Sequence, residues 1–177
     1  MAEPDAAGRA QLADWMTEAH EALEAHDWRQ AFAGYPRLDL SQGTAPWTRP
    51  ARSVRQSRLV LISSGGVSPA TDPPFDAAAP LGDWTFRHVP VGQDLEHTTV
   101  SHDHYDTSFA RVDRNCVFPL GRLRELADDG EIGSLTGTHF SFCGYLPDWA
   151  TLLDRFIPEF VEAVTAERPD IALLVPV

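Results

Sequence analysis

The chain has 177 residues, which is enough for one domain with a hydrophobic core of its own. Hydrophobic residues make up 43% of it and charged residues 23%, so a disordered or fibrous protein is excluded. The net charge of −12 argues against general binding to nucleic acid or anionic membranes, and because all 14 basic residues are arginine, lysine Schiff-base chemistry on this chain is excluded too.

The first part of the chain is predicted to form one long helix and a connector. Apolar residues recur at three- and four-residue steps from Ala6 to Ala33. The stretch that follows is rich in Ser, Gly, Pro and Arg, which indicates a surface loop. We therefore expect an N-terminal helical segment over 1–36, a connector over 37–57 and an α/β domain over 58–177 that is incomplete at its C-terminus.

Strands and helices are predicted to alternate in the remaining residues. The apolar run after Arg58 ends in a glycine turn at Ser63–Gly66, and both this run and Ile171–Val175 are typical of buried strands in a parallel sheet. Weaker strand patterns cover residues 84–89, 98–101, 115–118 and 139–145. Helices are predicted after Pro119 and after Asp148, the second with a kink or break at Pro158.

This alternation predicts an α/β fold, with a mostly parallel sheet, crossover helices and a preceding N-terminal helix. In such sheets ligands bind beyond the carboxyl ends of the strands. The turn at Ser63–Gly66 and the residues after Val175 are therefore expected to lie near a site. A Gly65-Gly66 turn can present backbone N–H groups to an anion, although a tight turn alone explains the pair equally well.

The most unusual segment is the H-x-H-x-D pattern of His102, His104 and Asp106. Alternate residues of an extended segment share a face, so the three side chains could bind one metal ion, as in a metal-dependent hydrolase. Such hydrolases normally have a further histidine where Thr107 stands. A hydrogen-bonded polar turn explains the same composition, and the neighbouring carboxylates of Asp103 and Asp106 also suit acid–base work.

The two cysteines offer little chemistry of their own. They are too few for a disulfide scaffold or a four-thiolate zinc site, and Cys116 is predicted to be a buried, inert thiol. His139, Ser141 and Cys143 fall on one side of a predicted strand, as a nucleophile and base would, but core packing explains that spacing as well. The acidic N-terminus lacks a secretory signal, so the expected location is the cytoplasm, with no membrane association.

Several strings in the chain, taken in order, resemble one known family, the selenoprotein B family of the glycine, sarcosine, betaine and D-proline reductases. The resemblance runs from about Pro46 to Val177. The strings that carry it are Leu59–Val67, Asp72–Asp76, Gly82–Arg87, Val100–Asp106, Val117–Leu120, Arg122–Leu126, Gly130–Leu135 and His139–Tyr145.

The resemblance implies reductive cleavage of a C–N bond at the α-carbon of glycine, betaine, sarcosine, proline or a related small amine. In that family a selenocysteine or cysteine attacks the α-carbon, and thiols on the same or a partner subunit then return it to the reduced state. That residue falls just after the strand that Ile171–Val177 matches, and neither Cys116 nor Cys143 takes its place. The nucleophile is therefore expected beyond Val177, on the hypothesis that the reading frame continues through a UGA codon taken as a stop.

The resemblance also suggests which residues act locally. His102, Asp103 and His104 are expected to orient the substrate and handle protons. The expected substrate-binding residues are Gly65, Gly66, Tyr105, Asp106, His139 and Ser141, and no metal is expected. The implied partners are a small amine or amino acid, reductase subunits or a thioredoxin-like dithiol reductant, and in some cases further copies of the chain, but no nucleic acid. The alternatives are the metal-dependent hydrolase and a catalytically silent binding protein on the same scaffold.

Overall fold

The computed structural model describes residues 6–37 and 48–177. Parts of the predicted helical segment (1–5) and connector (38–47) lie outside these residues. The helices are α1 Ala6–Glu18, α2 His20–Glu24, α3 Trp28–Ala31, α4 Ser108–Val112, α5 Leu120–Asp128, α6 Trp149–Thr151 and α7 Ile157–Ala166. The strands are β1 Arg58–Ser63, β2 Val67–Pro69, β3 Phe86–Pro90, β4 Thr98–Val100, β5 Ser134–Leu135, β6 Thr138–Phe142 and β7 Ile171–Val175.

The main sheet is built around β1 and is mostly parallel. Strands β5 and β6 pair in parallel with the beginning and the end of β1, and β7 pairs with its other edge. Strand β3 adds to β6 in the antiparallel direction. The predicted α/β fold with a mostly parallel sheet and a preceding helix is confirmed.

Helices cover both faces of this sheet, because the side chains of β1 alternate between two apolar clusters. Leu59 and Leu61 pack with Leu120 and Leu123 of α5. On the other face, Val60 and Ile62 pack with a cluster of aromatic rings, Phe140, Phe156 and Phe160. Side chains of β1 are thus buried on both faces, as its continuous apolar run predicts.

Strand β7 departs from the prediction of a buried strand. Ile171, Leu173 and Val175 pack toward the α5 side, but Leu174 on the opposite face is 65% exposed. In the described residues β7 pairs with β1 alone, so it forms an edge of the sheet. An apolar run does not distinguish a central strand from an edge strand, because that depends on what else packs nearby.

The N-terminal segment is three short helices instead of the one predicted. The backbone of His26 is left-handed, with φ of 55°, and the Asp27 side chain caps α3 by accepting a hydrogen bond from the Gln30 N–H at 3.1 Å. The segment packs on Trp149, whose indole N–H donates to the Pro36 carbonyl at 2.9 Å, while the Tyr35 hydroxyl donates to the Pro147 carbonyl at 2.7 Å.

Three other local predictions have different outcomes. The helix predicted after Pro119 is confirmed as α5, which ends before Gly130 at a φ of 73°. The prediction of an extended piece at 115–118 is wrong, since Arg114–Cys116 forms a 3₁₀ turn. The prediction of a buried Cys116 is also wrong, because this residue is exposed. Before Pro158 the helix takes a π-helical turn at Leu152–Phe156 and continues as α7.

Two further 3₁₀ turns lie at Val54–Gln56 and Leu95–His97. None of the helices in the described part of the chain has the length and apolar character needed to cross a membrane.

Candidate functional site

A pocket of about 300 Å³ opens at the carboxyl ends of the parallel strands. The pocket is lined by residues of the N-terminal helices, of the histidine-rich segment Ser101–Asp106, of the turn after β6 and of the end of β7. The described lining residues are Trp28, Phe32, His102, His104, Gly144, Tyr145 and Val177. This is the edge of an α/β sheet at which ligands bind as a rule.

Ser64 ties together the strand ends that border the pocket. Its N–H donates to the Val175 carbonyl at 3.2 Å and its carbonyl accepts from the Gly144 N–H at 3.0 Å. Its hydroxyl accepts from the Val177 N–H at 2.9 Å. The end of β7 is thereby fixed beside β1 and the turn after β6. From the sequence, Ser64 is predicted only as part of a glycine turn. Its position directly after a buried strand is the one feature of the sequence that indicates a place at the site.

The histidine-rich segment lies between β4 and α4. Arg114 links the two elements, since its guanidinium donates to the Ala110 carbonyl at 2.7 Å and to the Thr98 carbonyl at 3.1 Å. The Tyr105 hydroxyl donates to the Gly65 carbonyl at 2.9 Å, which attaches the segment to the turn after β1. Burial is the main cause that raises the pKa of Tyr105 to about 12, so this hydroxyl stays protonated.

His102 is held as a neutral ring with one free donor. Its Nδ1 accepts a hydrogen bond from the His104 N–H at 3.0 Å, so the proton of the neutral ring resides on Nε2. The side chain is 8% exposed, and its Nε2 has no hydrogen-bond partner in the described residues. Burial and the neighbouring His104 lower the pKa of His102 to about 4, against the opposing effect of Asp103.

His104 lies in an aromatic environment. Its ring stacks on Tyr145, with centroids 3.9 Å apart and planes at 26°, and it meets Trp28 edge-on at 4.7 Å. Burial is the main cause that lowers the pKa of His104, and the charge of Asp103 acts in the opposite direction. At neutral pH the two pocket histidines therefore carry no net charge.

The structure brings His102 and His104 into the pocket but not the two carboxylates of the segment. Asp103 is exposed and acts on both histidines only through its charge. Asp106 accepts a hydrogen bond from the Ser108 N–H at 2.9 Å at the beginning of α4, and this hydrogen bond lowers its pKa. Roles for Asp103 in proton handling and for Asp106 in substrate binding stay predictions.

The glycine turn is a structural element whose amides are already used. The Gly65 N–H donates to the Ser63 hydroxyl at 3.0 Å and the Gly66 N–H to the Phe142 carbonyl at 3.0 Å. Neither glycine N–H is therefore free to bind an anion, and the geometry agrees with the interpretation as a tight turn. Substrate binding by Gly65 and Gly66 stays a prediction, since neither lines the pocket.

The polar residues of β6 support the sheet and do not form a nucleophile–base pair. His139 is fully buried and its Nδ1 accepts from the Leu61 N–H at 3.0 Å, while the buried Ser141 hydroxyl accepts from the Val67 N–H at 2.9 Å. Burial is the main cause that raises the pKa of Cys143, so its thiol stays protonated. Neither His139 nor Ser141 lines the pocket, and their substrate-binding roles stay predictions.

The arrangement gives little support to a metal-dependent hydrolase. His102 Nδ1 accepts a hydrogen bond from a backbone N–H, and Asp106 accepts one from the Ser108 N–H at the beginning of α4. Across residues 6–37 and 48–177, no group of three or more His, Cys, Asp or Glu side chains is arranged to hold a metal ion.

Sequence reasoning missed the aromatic part of the pocket. None of Trp28, Phe32 and Tyr145 is predicted as a site residue from the sequence. No pattern in the sequence shows that the N-terminal helices fold back over the turn after β6, because that placement depends on contacts between residues over a hundred positions apart, such as Tyr35 with Pro147.

Comparison with known proteins gives a consistent family. A family model described as glycine/sarcosine/betaine reductase selenoprotein B matches residues 38–175. The D-proline reductase subunit gamma of Acetoanaerobium sticklandii is 30% identical over 128 residues, covering 72% of this chain and 52% of that protein. The glycine reductase complex component B subunit gamma of Symbiobacterium thermophilum is 27% identical over 92 residues, covering 51% of this chain and 21% of that protein.

A second glycine reductase complex component B subunit gamma, from Carboxydothermus hydrogenoformans, is 28% identical over 98 residues, which is 52% of this chain and 22% of that protein. The chain thus spans about half the length of the D-proline reductase subunit and about a fifth of the glycine reductase subunits. No solved structure matches the chain.

Proposed function

Because the chain belongs to the glycine/sarcosine/betaine reductase selenoprotein B family, we propose that it is a component of an amino-acid reductase complex. In this proposal the pocket binds a small amine or amino acid for reductive cleavage of its C–N bond. The observation that carries the proposal is the meeting of His102 and His104 with Val177 in one pocket, at the strand ends where the resemblance puts the chemistry.

The pocket suits a soft anion beside the end of β7. A selenolate or thiolate following Val177, on this chain or presented by a partner subunit, would supply the nucleophile for the α-carbon. The unpartnered Nε2–H of His102 is a donor that such an anion, or the substrate carboxylate, can accept. The same hydrogen bond helps to keep the reacting group ionised, because bonding to the charged form lowers its pKa.

The residues of this chain then have distinct tasks. His102 orients the anionic group by donating from Nε2, and the bond from the His104 N–H keeps that tautomer. His104 and the exposed Asp103 lie on the solvent side and exchange protons with water as the amine leaves. Regeneration of the nucleophile is assigned to a thioredoxin-like dithiol and to partner subunits, as the family resemblance implies.

The test is an assay of the assembled reductase. The chain is combined with the subunit that bears the selenol or thiol, and dithiol-dependent cleavage is measured for glycine, N-methylglycine, trimethylglycine and proline. We expect His102→Asn to lower turnover by about 100-fold, the usual effect of removing one hydrogen-bond donor that stabilises a reacting anion. His97→Asn is the matched control, since His97 is an exposed histidine paired with Asp94 outside the pocket.

Turnover that does not require this chain would contradict the proposal. Equal turnover of His102→Asn and His97→Asn would remove His102 from the mechanism.

A silent binding protein is the second candidate, and one observation favours it. Of the two cysteines, Cys116 is exposed on a 3₁₀ turn and Cys143 is buried, and neither lines the pocket. Tight binding of a small amine without turnover, in the presence of dithiol and of the partner subunits, would support this candidate over the reductase.

A further inference from the structure

Trp28, Phe32 and Tyr145 form an aromatic wall of the pocket, and part of this wall comes from outside the region that the family model matches. Trp28 and Phe32 belong to the N-terminal helices, whereas the family match begins at residue 38. Their partner Tyr145 follows β6. The three rings meet edge-to-face: Trp28 and Tyr145 have centroids 5.6 Å apart with planes at 67°, and Phe32 and Tyr145 have centroids 6.2 Å apart at 70°.

The rings are fixed by contacts outside the pocket. The Tyr145 hydroxyl donates to the Pro80 carbonyl at 2.9 Å, and Phe32 packs against Trp15 and Tyr35. Trp28 follows the N-cap Asp27 and stacks on His26 with centroids 5.2 Å apart. A wall held in this way keeps its shape when the pocket is empty, which reduces the entropy lost on binding.

The charges around the pocket favour a cation. Among the described lining residues there is no arginine, and both histidines are neutral at neutral pH because their pKa values are lowered. The carboxylate of Asp103 acts on the pKa values of both histidines, and His26, whose ring stacks on Trp28, acts on that of His104 in the opposite direction. An aromatic wall without lysine or arginine and with a carboxylate nearby attracts a positive group to the faces of its rings.

We propose that Trp28, Phe32 and Tyr145 form a subsite for an alkylated ammonium group, so that the pocket prefers amino acids with a methylated or ring nitrogen over glycine. Alkyl groups on the nitrogen fill the aromatic wall and spread the positive charge over a surface that is weakly hydrated, whereas a primary ammonium loses strong hydrogen bonds with water when it enters. This inference rests on the proposed function, since it names the substrate class of the same pocket.

The other end of such a ligand also has a partner. The Nε2–H of His102 is unpartnered in the described residues, while the ring lines the pocket, and it can donate to the ligand's carboxylate. A carboxylate at His102 and an alkylated ammonium at the aromatic wall describe a short zwitterion such as trimethylglycine. One donor and one aromatic subsite thus account for both charges of the ligand.

The experiment is a binding measurement that does not depend on turnover. Isothermal titration of the chain compares trimethylglycine with glycine and with 3,3-dimethylbutanoate, which has the shape of trimethylglycine without its positive charge. We expect trimethylglycine to bind at least about tenfold more tightly than either compound. Tighter or equal binding of glycine or of 3,3-dimethylbutanoate, or no binding of any of the three, would overturn the proposal.

Variants then test the rings themselves. Trp28→Leu and Phe32→Leu should each weaken trimethylglycine binding about tenfold or more while leaving the binding of 3,3-dimethylbutanoate nearly unchanged. The control is Phe109→Leu, because Phe109 is 74% exposed on α4 and does not line the pocket. Two independent ring variants keep the test valid if one of them fails to fold, as judged from its thermal unfolding.

Failure of this inference is distinguishable from failure of the proposed function. A reductase that cleaves glycine or proline, with no preference for alkylated ammonium in the binding assay, would leave the function standing and remove the aromatic subsite. Selective binding of trimethylglycine by a chain that supports no cleavage would keep the aromatic subsite and remove the proposed reductase function.

Discussion

The imidazole of His102 combines burial with a hydrogen bond that fixes its tautomer. Its Nδ1 accepts from the His104 N–H, and its Nε2–H is left without a partner in the described residues. An unpaired buried donor costs about 1–3 kcal/mol of stability, so a residue of this kind is often maintained for binding or chemistry. His139 Nε2 is also without a partner in the described residues, but His139 does not line the pocket. It is the position of His102 in the pocket that supports an orienting role over a purely structural one.

The lowered pKa values of two histidines predict a stability that depends on pH. His102 and His139 each have a pKa of about 4 in the folded chain, mainly through burial, against the ordinary histidine pKa of 6.5. Between these values the unfolded chain binds protons that the folded chain does not. The free energy of unfolding is therefore fully maintained above pH 6.5 and falls as the pH drops toward 4.

The expected loss between pH 7 and pH 5 is about 2 kcal/mol for each histidine. Urea unfolding at the two pH values measures it, and His102→Asn should remove about 2 kcal/mol of the difference. The exposed carboxylates of Asp106, Asp113 and Asp154 do not interfere, since their pKa values are shifted below 3.8. A free energy of unfolding that is equal at pH 7 and pH 5 would show that these imidazoles are not desolvated.

For single residues, the sequence identifies the histidine-rich segment but not what each of its side chains does. An H-x-H-x-D pattern directly after a predicted strand identifies His102 and His104, and both line the pocket. The pattern cannot show that Asp106 accepts from the first N–H group of α4, since a carboxylate shortly before a helix suits such a hydrogen bond and a metal ligand equally well. It also cannot show which ring nitrogen of His102 stays free, because that depends on the backbone of His104.

Among the structural elements, the turn between β1 and β2 holds the site in place. Gly66 has a φ of 66° and accepts from the Ser101 N–H at 2.9 Å, directly before the histidine-rich segment. A Cβ at this position would lie 2.2 Å from the Ser101 carbonyl oxygen. The turn therefore needs glycine both for its left-handed backbone and for this close approach.

Gly66→Ala is expected to lower the free energy of unfolding by about 2 kcal/mol or more, because it adds a backbone clash to the ordinary cost of a left-handed alanine. Chemical denaturation measures the change. The matched control is Gly92→Ala, since a Cβ there meets nothing within 4 Å and the change should stay within about 0.5 kcal/mol. A Gly66→Ala variant as stable as Gly92→Ala would mean that β2 and β4 do not meet at this turn as described.

Elements with strong local signals are predicted better than those that depend on distant contacts. The apolar run of β1 and the proline and glycine around α5 identify both elements from the sequence. The periodicity of the N-terminal segment correctly indicates helix but not the interruption at His26 and Asp27, where an N-cap competes with helix continuation. The exposure of β7 depends on its neighbours in the sheet and has no signal of its own.

For the whole molecule, the pocket depends on two parts of the chain that meet only in the folded state. The matched region supplies the histidines, Tyr145 and the end of β7, while the N-terminal helices supply Trp28 and Phe32. Hydrogen bonds of Trp149 with Pro36 and of Tyr35 with Pro147 hold the two parts together. The fold class and family follow from the sequence, but the shape and charge of the site require the assembled structure.

In the proposed function, the end of β7 and His102 together form the reaction site for a small carboxylate that carries a leaving group on its α-carbon. Val177→Cys puts a thiol in the pocket, and chloroacetate carries chloride on the α-carbon where a substrate carries its amine. The thiolate displaces chloride from that carbon in a single exchange of bonds. Chloroacetamide, which lacks the carboxylate, and the exposed Cys116 of the same chain are the internal references.

The measurement is the rate of alkylation at each cysteine, determined by mass spectrometry of peptides. We expect the rate ratio of chloroacetate to chloroacetamide to be at least about tenfold higher at position 177 than at Cys116. His102→Asn should abolish this difference between the two positions. Equal ratios at the two positions would contradict this expectation.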